Sequence, residues 1–163
     1  MNLPDTPSFR LDGMRALVTG AGRGIGLGSA AALAAAGAEV TLAARTSSEI
    51  EAVAQAIRAT GGQASALVLD MLDLEMVASA IAAEGPFDVL VNNAGTNRPQ
   101  PVWEVTEDDY NAVLDLNLKS AFFVAKSVVK GLIAAGKSGS LIHMSSQMGQ
   151  VGGPNRSLYC ASK

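Results

Sequence analysis

The 163 residues of this chain are enough for one compact domain with a sizeable core, and we expect a single domain to span residues 1–163. Hydrophobic residues make up 48% of the sequence and charged residues 17%, a balance that excludes an intrinsically disordered chain. A formal net charge of −3 gives no basic surface for nucleic acid, and the alanine-rich run at residues 29–36 is too short to span a bilayer.

Short apolar runs alternate along the chain with segments of helical periodicity, which is typical of strand–helix–strand units that build a parallel sheet. Five strands are predicted, at Arg15–Thr19, Glu39–Ala44, Ala64–Leu69, Val89–Asn92 and Ser140–Met144. Helices are predicted between them, near Gly24–Ala36, Ser48–Thr60, Leu74–Glu84 and Glu107–Ala135. Right-handed crossovers would place the first strand beside the fourth, so the sequence predicts an α/β fold with a doubly wound parallel sheet and helices on both faces.

The predicted helix boundaries carry residues that start and stop helices. Ser48 is followed three residues later by Glu51, and Thr106 by Asp109, which is the spacing of a capping box. Gly61-Gly62 and Gly85-Pro86 are expected to end two of the helices.

The segment T-G-A-G-R-G-I-G, Thr19–Gly26, joins the first predicted strand to the first predicted helix. Gly20, Gly24 and Gly26 allow a sharp turn, a close approach of the backbone to a ligand and tight packing of the helix on the sheet. The unpaired N–H groups at the start of the helix then favour a bound pyrophosphate. An ordinary strand-to-helix turn is the alternative.

The second predicted strand ends in Ala43-Ala44-Arg45, at a place where the common dinucleotide fingerprint has an acid for the ribose 2′-hydroxyl. An arginine there suits a 2′-phosphate, through charge-assisted hydrogen bonds worth about 1.5–3 kcal/mol each. The sequence therefore predicts NADP in preference to NAD, with a solvated helix-capping arginine as the alternative. Arg23, inside the glycine turn, either reaches the same phosphate or faces water.

Polar residues also end the third and fourth predicted strands, at the carboxyl edge of the sheet. Asp70 either hydrogen-bonds an adenine or caps the following helix, a role for which Asp73 competes. The sequence Asn92-Asn93-Ala94-Gly95 either braces the neighbouring loops beside a ligand or forms a plain turn.

Tyr159 and Lys163 are four residues apart, a spacing that places both on one face of a helix. A phenol ordinarily ionises near pH 10, so proton exchange near neutral pH requires stabilisation of its anion, which a neighbouring ammonium supplies. Because this spacing often arises by chance, it carries weight only together with other motifs.

Five motifs follow one another along the chain: T-G-A-G-R-G-I-G from Thr19, N-N-A-G from Asn92, L-D-L-N-L-K around Asn117, M-S-S ending at Ser146, and Y-C-A-S-K from Tyr159. In order and spacing they resemble the motifs of the short-chain dehydrogenase/reductase family, over residues 15–163. The resemblance implies a Rossmann fold and an NADP-dependent oxidoreductase acting on a secondary alcohol or ketone. Family members continue beyond the position of Lys163, so we expect this chain to be part of a longer enzyme, with the sheet incomplete on its C-terminal side.

Carried over by position, the resemblance implies that Tyr159 exchanges a proton with the substrate oxygen and that Ser146 hydrogen-bonds that oxygen. Lys163 would hold the nicotinamide ribose and stabilise the tyrosine's anion, and Asn117 would position a water that links Lys163 to solvent. From the residues alone, Asn117 is equally an interior helix residue that bonds a neighbouring backbone, and Ser146 a polar residue at a strand end. The residues expected to bind the cofactor are Gly20, Arg23, Gly24, Ile25, Gly26, Arg45, Asp70, Met71, Asn93, Ala94, Gly95, Tyr159 and Lys163.

The expected substrate is a small carbonyl compound or alcohol, either a sugar or polyol or a 3-oxoacyl group on a carrier. Gln147, Asn155 and Arg156, in the loop before Tyr159, slightly favour a polyhydroxy or anionic substrate. The alternative function is a non-catalytic NADP-binding module acting in regulation or assembly.

No metal site is predicted. The N-terminus lacks the pattern of a secretory signal, and a single cysteine cannot form an internal disulfide, so we expect a cytoplasmic protein without a membrane or nucleic-acid partner. We expect the intact enzyme to be a homo-oligomer, either a dimer or a tetramer.

Overall fold

A computed structural model describes residues 8–163; residues 1–7 lie outside the described part. The strands are β1 (Arg15–Thr19), β2 (Glu39–Ala44), β3 (Gln63–Val68), β4 (Val89–Asn92) and β5 (Ser140–His143). The α-helices are α1 (Gly24–Ala35), α2 (Ser47–Ala59), α3 (Leu74–Glu84), α4 (Glu107–Leu114), α5 (Ala121–Ala134) and α6 (Ser157–Ala161). The strands form one parallel sheet in the order β3-β2-β1-β4-β5, which confirms the doubly wound prediction and the pairing of β1 with β4.

The core lies on both faces of the sheet, because side chains alternate along each buried strand. In β1, Ala16 and Val18 face a cluster that includes Ile50 of α2, while Leu17 faces the opposite cluster with Val124 of α5. Helices α1 and α2 cover the first face, and α3 and α5 cover the second. Both layers leave the carboxyl ends of the strands open along one edge.

The prediction of one uninterrupted helix over Glu107–Ala135 is wrong in its middle. A π-helical segment, Asp115–Ser120, separates α4 from α5. Ser120 Oγ donates to the Leu116 carbonyl oxygen at 2.6 Å, four residues earlier, which is the kind of side-chain bond that competes with regular helix geometry. The segment buries two polar residues, Asn117 and Ser120, whereas α4 and α5 on either side bury Val113 and Val124.

Two of the predicted helix starts can be checked against the caps. Helix α2 begins after Thr46, whose side chain forms no capping bond, so the prediction of a cap at Ser48 is wrong. Helix α4 has the predicted capping box, in which Thr106 and Asp109 bond each other's backbone N–H groups. Asp73 caps α3 by accepting from the Met76 N–H at 2.9 Å.

At one end of the sheet, β5 pairs only with β4 within residues 8–163, and its Ile142 side chain is 46% exposed. Among the helices of this part of the chain, none combines the length and the apolar character needed to cross a bilayer.

Candidate active site

The glycine turn between β1 and α1 has the backbone conformation that its sequence predicts. Gly20 and Gly24 have positive φ angles of 63° and 57°, in the left-handed region that glycine adopts without strain. A Cβ atom on Gly26 would clash with the Gly20 carbonyl oxygen and lie 2.7 Å from Asn93 Nδ2. The turn therefore packs so closely on the end of β4 that only glycine fits at position 26.

Thr19 and Asn93 hold this turn against the loop that follows β4. The buried Thr19 Oγ1 accepts hydrogen bonds from the backbone N–H groups of Asn93 and Ala94, both at 3.0 Å. In return, Asn93 Nδ2 donates to the carbonyl oxygens of Thr19 and Gly20 at 3.1 and 3.3 Å. The N-N-A-G motif was expected either to brace the neighbouring loops or to form a plain turn, and these bonds show that it braces the glycine turn. The importance of Thr19 was missed, although its place before the first glycine was a usable signal.

A cleft of about 430 Å³ opens at the carboxyl edge of the sheet, above the ends of β1, β2 and β4. Nine of the predicted cofactor residues line it: Gly20, Arg23, Ile25, Arg45, Asp70, Met71, Asn93, Ala94 and Gly95. Gly24 and Gly26 do not line the cleft; they lie at the start of α1, in the first turn of the helix. The cleft also includes residues that the sequence reading missed, namely Gly22, Ala44, Thr46, Glu49, Leu69 and Leu116.

Two cations, Arg23 and Arg45, and one carboxylate, Glu49, line this cleft. Within residues 8–163, neither Arg23 nor Arg45 forms an ion pair, so both guanidinium groups are open to a ligand. Glu49 faces the glycine turn, since a Cβ on Gly22 would lie 2.8 Å from its Oε2. The signal for Glu49 was its place in the first turn of α2, three residues after the N-cap Thr46.

Asp70 is not the cap of α3, because Asp73 fills that role. Its Oδ1 accepts from the Leu72 N–H at 3.0 Å, which holds the turn after β3 and keeps the carboxylate on the wall of the cleft. Of the two roles predicted for Asp70, helix capping is therefore excluded, and a hydrogen bond to a ligand remains.

A second cleft, of about 240 Å³, lies between the π-helical segment and β5. Ala94 lines both clefts, and Lys163, Asn117 and His143 line the second. Lys163 Nζ donates to the Met144 carbonyl oxygen at 3.0 Å, and partial burial lowers the pKa of its ammonium group. A Cβ on Gly95 would lie 3.4 Å from Lys163 Nζ, so the ammonium sits directly beside the N-N-A-G motif.

Tyr159 lies on α6, and Lys163 Nζ is 5.7 Å from the centroid of its ring. Lys163 follows Ser162, the C-cap of α6, so the expected placement of both residues on one regular helix holds only for Tyr159. Ser146 Oγ accepts from the Met148 N–H at 3.2 Å, within its own turn. Neither Ser146 nor Tyr159 lines either of the two clefts.

The Asn117 side chain joins three parts of the site and is only 6% exposed. Its Oδ1 accepts from the Thr96 N–H at 2.7 Å, and its Nδ2 donates to the Thr96 carbonyl oxygen and to Ser162 Oγ, both at 2.8 Å. Ser162 Oγ in turn donates to the Tyr159 carbonyl oxygen at 2.9 Å. The amide therefore ties the loop after β4 to the end of α6, which agrees with its reading as a residue that bonds a neighbouring backbone.

The described residues 8–163 contain no group of three or more His, Cys, Asp or Glu side chains placed to hold a metal ion.

Comparison with known proteins links this geometry to one family. The family described as short chain dehydrogenase matches residues 14–163. L-xylulose reductase from Bos taurus is 42% identical over 155 residues, which are 95% of this chain and 62% of that protein. Gluconate 5-dehydrogenase from Gluconobacter oxydans is 37% identical over 167 aligned positions, which cover 100% of this chain and 64% of that protein.

Solved structures give the same result. A crystal structure of gluconate 5-dehydrogenase from Burkholderia cenocepacia, in complex with NADP and tartrate, matches with a TM-score of 0.89 at 39% identity. The match covers 96% of this chain and 62% of that one. The chain therefore spans less than two thirds of the length of these relatives.

Proposed function

Because this chain belongs to the short-chain dehydrogenase family, we propose that the intact protein is an NADP-dependent oxidoreductase. It would transfer a hydride between NADP(H) and a secondary alcohol or ketone of a sugar or polyol. The observation that carries the proposal is the junction of two clefts at Ala94. One cleft combines the glycine turn with Arg45, and the other holds Lys163.

The residues of the larger cleft fit a dinucleotide with a 2′-phosphate. The backbone of Gly20 lies so close to Ala94 that a Cβ added to Gly20 would be 3.0 Å from the Ala94 Cα. Because Gly20 has no side chain, its part of the turn stays open where a pyrophosphate would lie. Arg23 and Arg45 supply unpaired guanidinium donors at the β2 end, where they would hold the 2′-phosphate. Asp70 and Met71 would line the adenine side, and Asn93, Ala94 and Gly95 the middle of the cofactor.

Bound NADP(H) supplies the hydride, and the protein supplies orientation and proton transfer. Tyr159 would give a proton to the carbonyl oxygen during reduction and take it from the alcohol during oxidation. The Lys163 ammonium, near the face of the tyrosine ring, would favour the anion and bind the nicotinamide ribose. Ser146 would donate a hydrogen bond to the substrate oxygen and stabilise the charge that develops there.

Asn117 requires a narrower role than the one expected from the sequence. Both N–H groups of its amide are engaged, with Thr96 and with Ser162. If Asn117 positions a water for proton relay to Lys163, we propose that its main chain does so, while the side chain fixes the loop and the end of α6.

A sugar or polyol is the substrate class that we favour over a carrier-bound 3-oxoacyl group. The relatives are named for such compounds, as L-xylulose reductase and gluconate 5-dehydrogenase. Gln147, Asn155 and Arg156 also place polar groups in the loop before α6, where they suit hydroxyl and carboxylate groups.

We further propose that residues 1–163 belong to one dinucleotide-binding domain of a cytoplasmic homo-oligomer, either a dimer or a tetramer. The free thiol of Cys160 suits a reducing compartment. Exposed apolar side chains on α5, Phe122 at 64% and Ile133 at 74%, support association between copies.

The experiment that tests this function measures NADPH oxidation by the intact protein against a panel of ketoses, keto-sugar acids and 3-oxoacyl thioesters. We expect turnover with a member of the first two classes. Cofactor binding, seen as a change in NADPH fluorescence, without turnover of any of these carbonyls would instead indicate a non-catalytic binding module.

A further inference from the structure

Side chains from α4 and the π-helical segment fasten the loop after β4 at two places. Asn117 bonds both backbone groups of Thr96. Nearer the start of α4, Asp109 accepts from Arg98 Nη1 at 2.9 Å and from Gln100 Nε2 at 2.6 Å. The segment 96–100 is therefore held along its length by two separate side chains.

Asp109 makes more hydrogen bonds than helix capping requires. In the capping box its Oδ2 accepts from the Thr106 N–H at 3.3 Å, and Thr106 Oγ1 accepts from the Asp109 N–H at 3.2 Å. The same carboxylate also accepts from Thr106 Oγ1 at 2.6 Å, besides the bonds from Arg98 and Gln100. The hydrogen bonds from Thr106, Gln100 and Arg98 hold the pKa of the Asp109 carboxyl well below its usual range.

Gln100 carries this clamp to the loop that enters α6. Its side chain binds Asp109, while its backbone N–H donates to the Asn155 carbonyl oxygen at 3.0 Å. Asn155 has a φ of 57° and is the one non-glycine residue with positive φ within residues 8–163. That conformation is uncommon outside glycine, even though asparagine tolerates it better than most residues, so it persists where neighbouring contacts hold it.

Asn155 stands two residues before α6, which carries Tyr159. We propose that Gln100, held by Asp109, is a positioning residue for Tyr159. The Asp109–Gln100–Asn155 connection fixes the loop 151–156 and through it the start of α6. This inference rests on the proposed function, since it assigns a consequence for proton transfer by Tyr159.

The structure also offers a way to separate positioning from helix capping. Gln100→Met removes the bond to Asp109 with little change in side-chain length, and it leaves the Thr106 capping bonds in place. Thr106→Ala removes the two bonds made by Thr106 Oγ1, including the one that caps α4, and leaves both Arg98 and Gln100 on Asp109. If the cap of α4 is what matters for catalysis, Thr106→Ala should lower kcat. If Gln100 positions Tyr159, Gln100→Met should lower kcat instead.

The test uses the intact protein and measures kcat with a carbonyl substrate, Kd for NADPH, and hydrogen exchange of residues 151–157. For Gln100→Met we expect faster exchange in that segment and a loss of about tenfold in kcat, because small misplacements of reacting groups are costly, with NADPH affinity within about twofold of wild type. Thr106→Ala should lower the Tm yet keep kcat within about twofold of wild type.

Unchanged exchange in Gln100→Met, or faster exchange with unchanged kcat, would overturn the inference. An equal loss of kcat in Thr106→Ala would also overturn it, because the effect would then belong to the helix cap. If the wild-type protein turned over no carbonyl, the proposed function would fail, and hydrogen exchange would still decide whether Gln100 orders the loop.

Discussion

Replacing Arg45 with alanine should weaken the binding of NADPH far more than that of NADH. Arg45 follows β2 and lines the larger cleft with a guanidinium that no described carboxylate neutralises. A charge-assisted hydrogen bond contributes about 1.5–3 kcal/mol, and solvent screening at this exposed side chain favours the lower end of the range. At about 1.4 kcal/mol per decade, the expected loss in NADPH affinity is roughly tenfold.

The assay is titration of the intact protein with NADPH, NADH and 2′,5′-ADP, the last of which carries the 2′-phosphate without the nicotinamide. Arg45→Ala should weaken NADPH and 2′,5′-ADP alike and leave NADH within about twofold of wild type. Lys130→Ala, which removes the same charge from the exposed surface of α5, is the matched control and should change none of the three. Equal losses for NADPH and NADH would refute the assignment of Arg45 to the 2′-phosphate.

Two further predictions concern stability. Gly26→Ala should destabilise the folded protein by about 1–3 kcal/mol, because its Cβ meets the Gly20 carbonyl and Asn93. The control Gly28→Ala has open space around the added Cβ and should be neutral or stabilising. Denaturant unfolding of both variants checks this, and equal unfolding midpoints would contradict the close packing of the turn. The lowered pKa of Asp109 means that its contribution is present above the ordinary carboxyl pKa and is lost as pH falls towards the lower folded value. Asp109→Asn should therefore show a smaller decrease in Tm than wild type between pH 5 and pH 3, and parallel curves would contradict this.

The sheet was predictable from local pattern because each strand is a short apolar run bounded by turn residues. Predicted β1, β2 and β4 have the bounds found in the structure, β3 begins and ends one residue earlier than predicted, and β5 ends one residue earlier. The doubly wound order followed from the general handedness of parallel crossovers. The α2 cap was mispredicted because Thr46-x-x-Glu49 and Ser48-x-x-Glu51 match the same pattern, and the sequence alone does not choose between them.

The parts of the site that a single sequence motif forms were predictable. The parts that depend on contacts between residues far apart in sequence were less so. The glycine turn and Arg45 come to one cleft as expected. The π-helical segment escaped prediction because an uninterrupted helix was expected there, although the two residues that it buries, Asn117 and Ser120, are polar. The clamp by Asp109 depends on contacts between the loop after β4 and the start of α4, which no local spacing encodes.

The central claim is that the protein reduces a carbonyl compound with a proton from Tyr159. The most direct measurement compares Tyr159→Phe with Tyr110→Phe, a change at the only other tyrosine of the chain, which lies exposed on α4. In the intact protein, Tyr159→Phe should lose at least about a hundredfold in kcat with NADPH affinity nearly unchanged, because only the transferred proton is removed. Tyr110→Phe should keep wild-type kcat. Wild-type turnover by Tyr159→Phe would contradict the account.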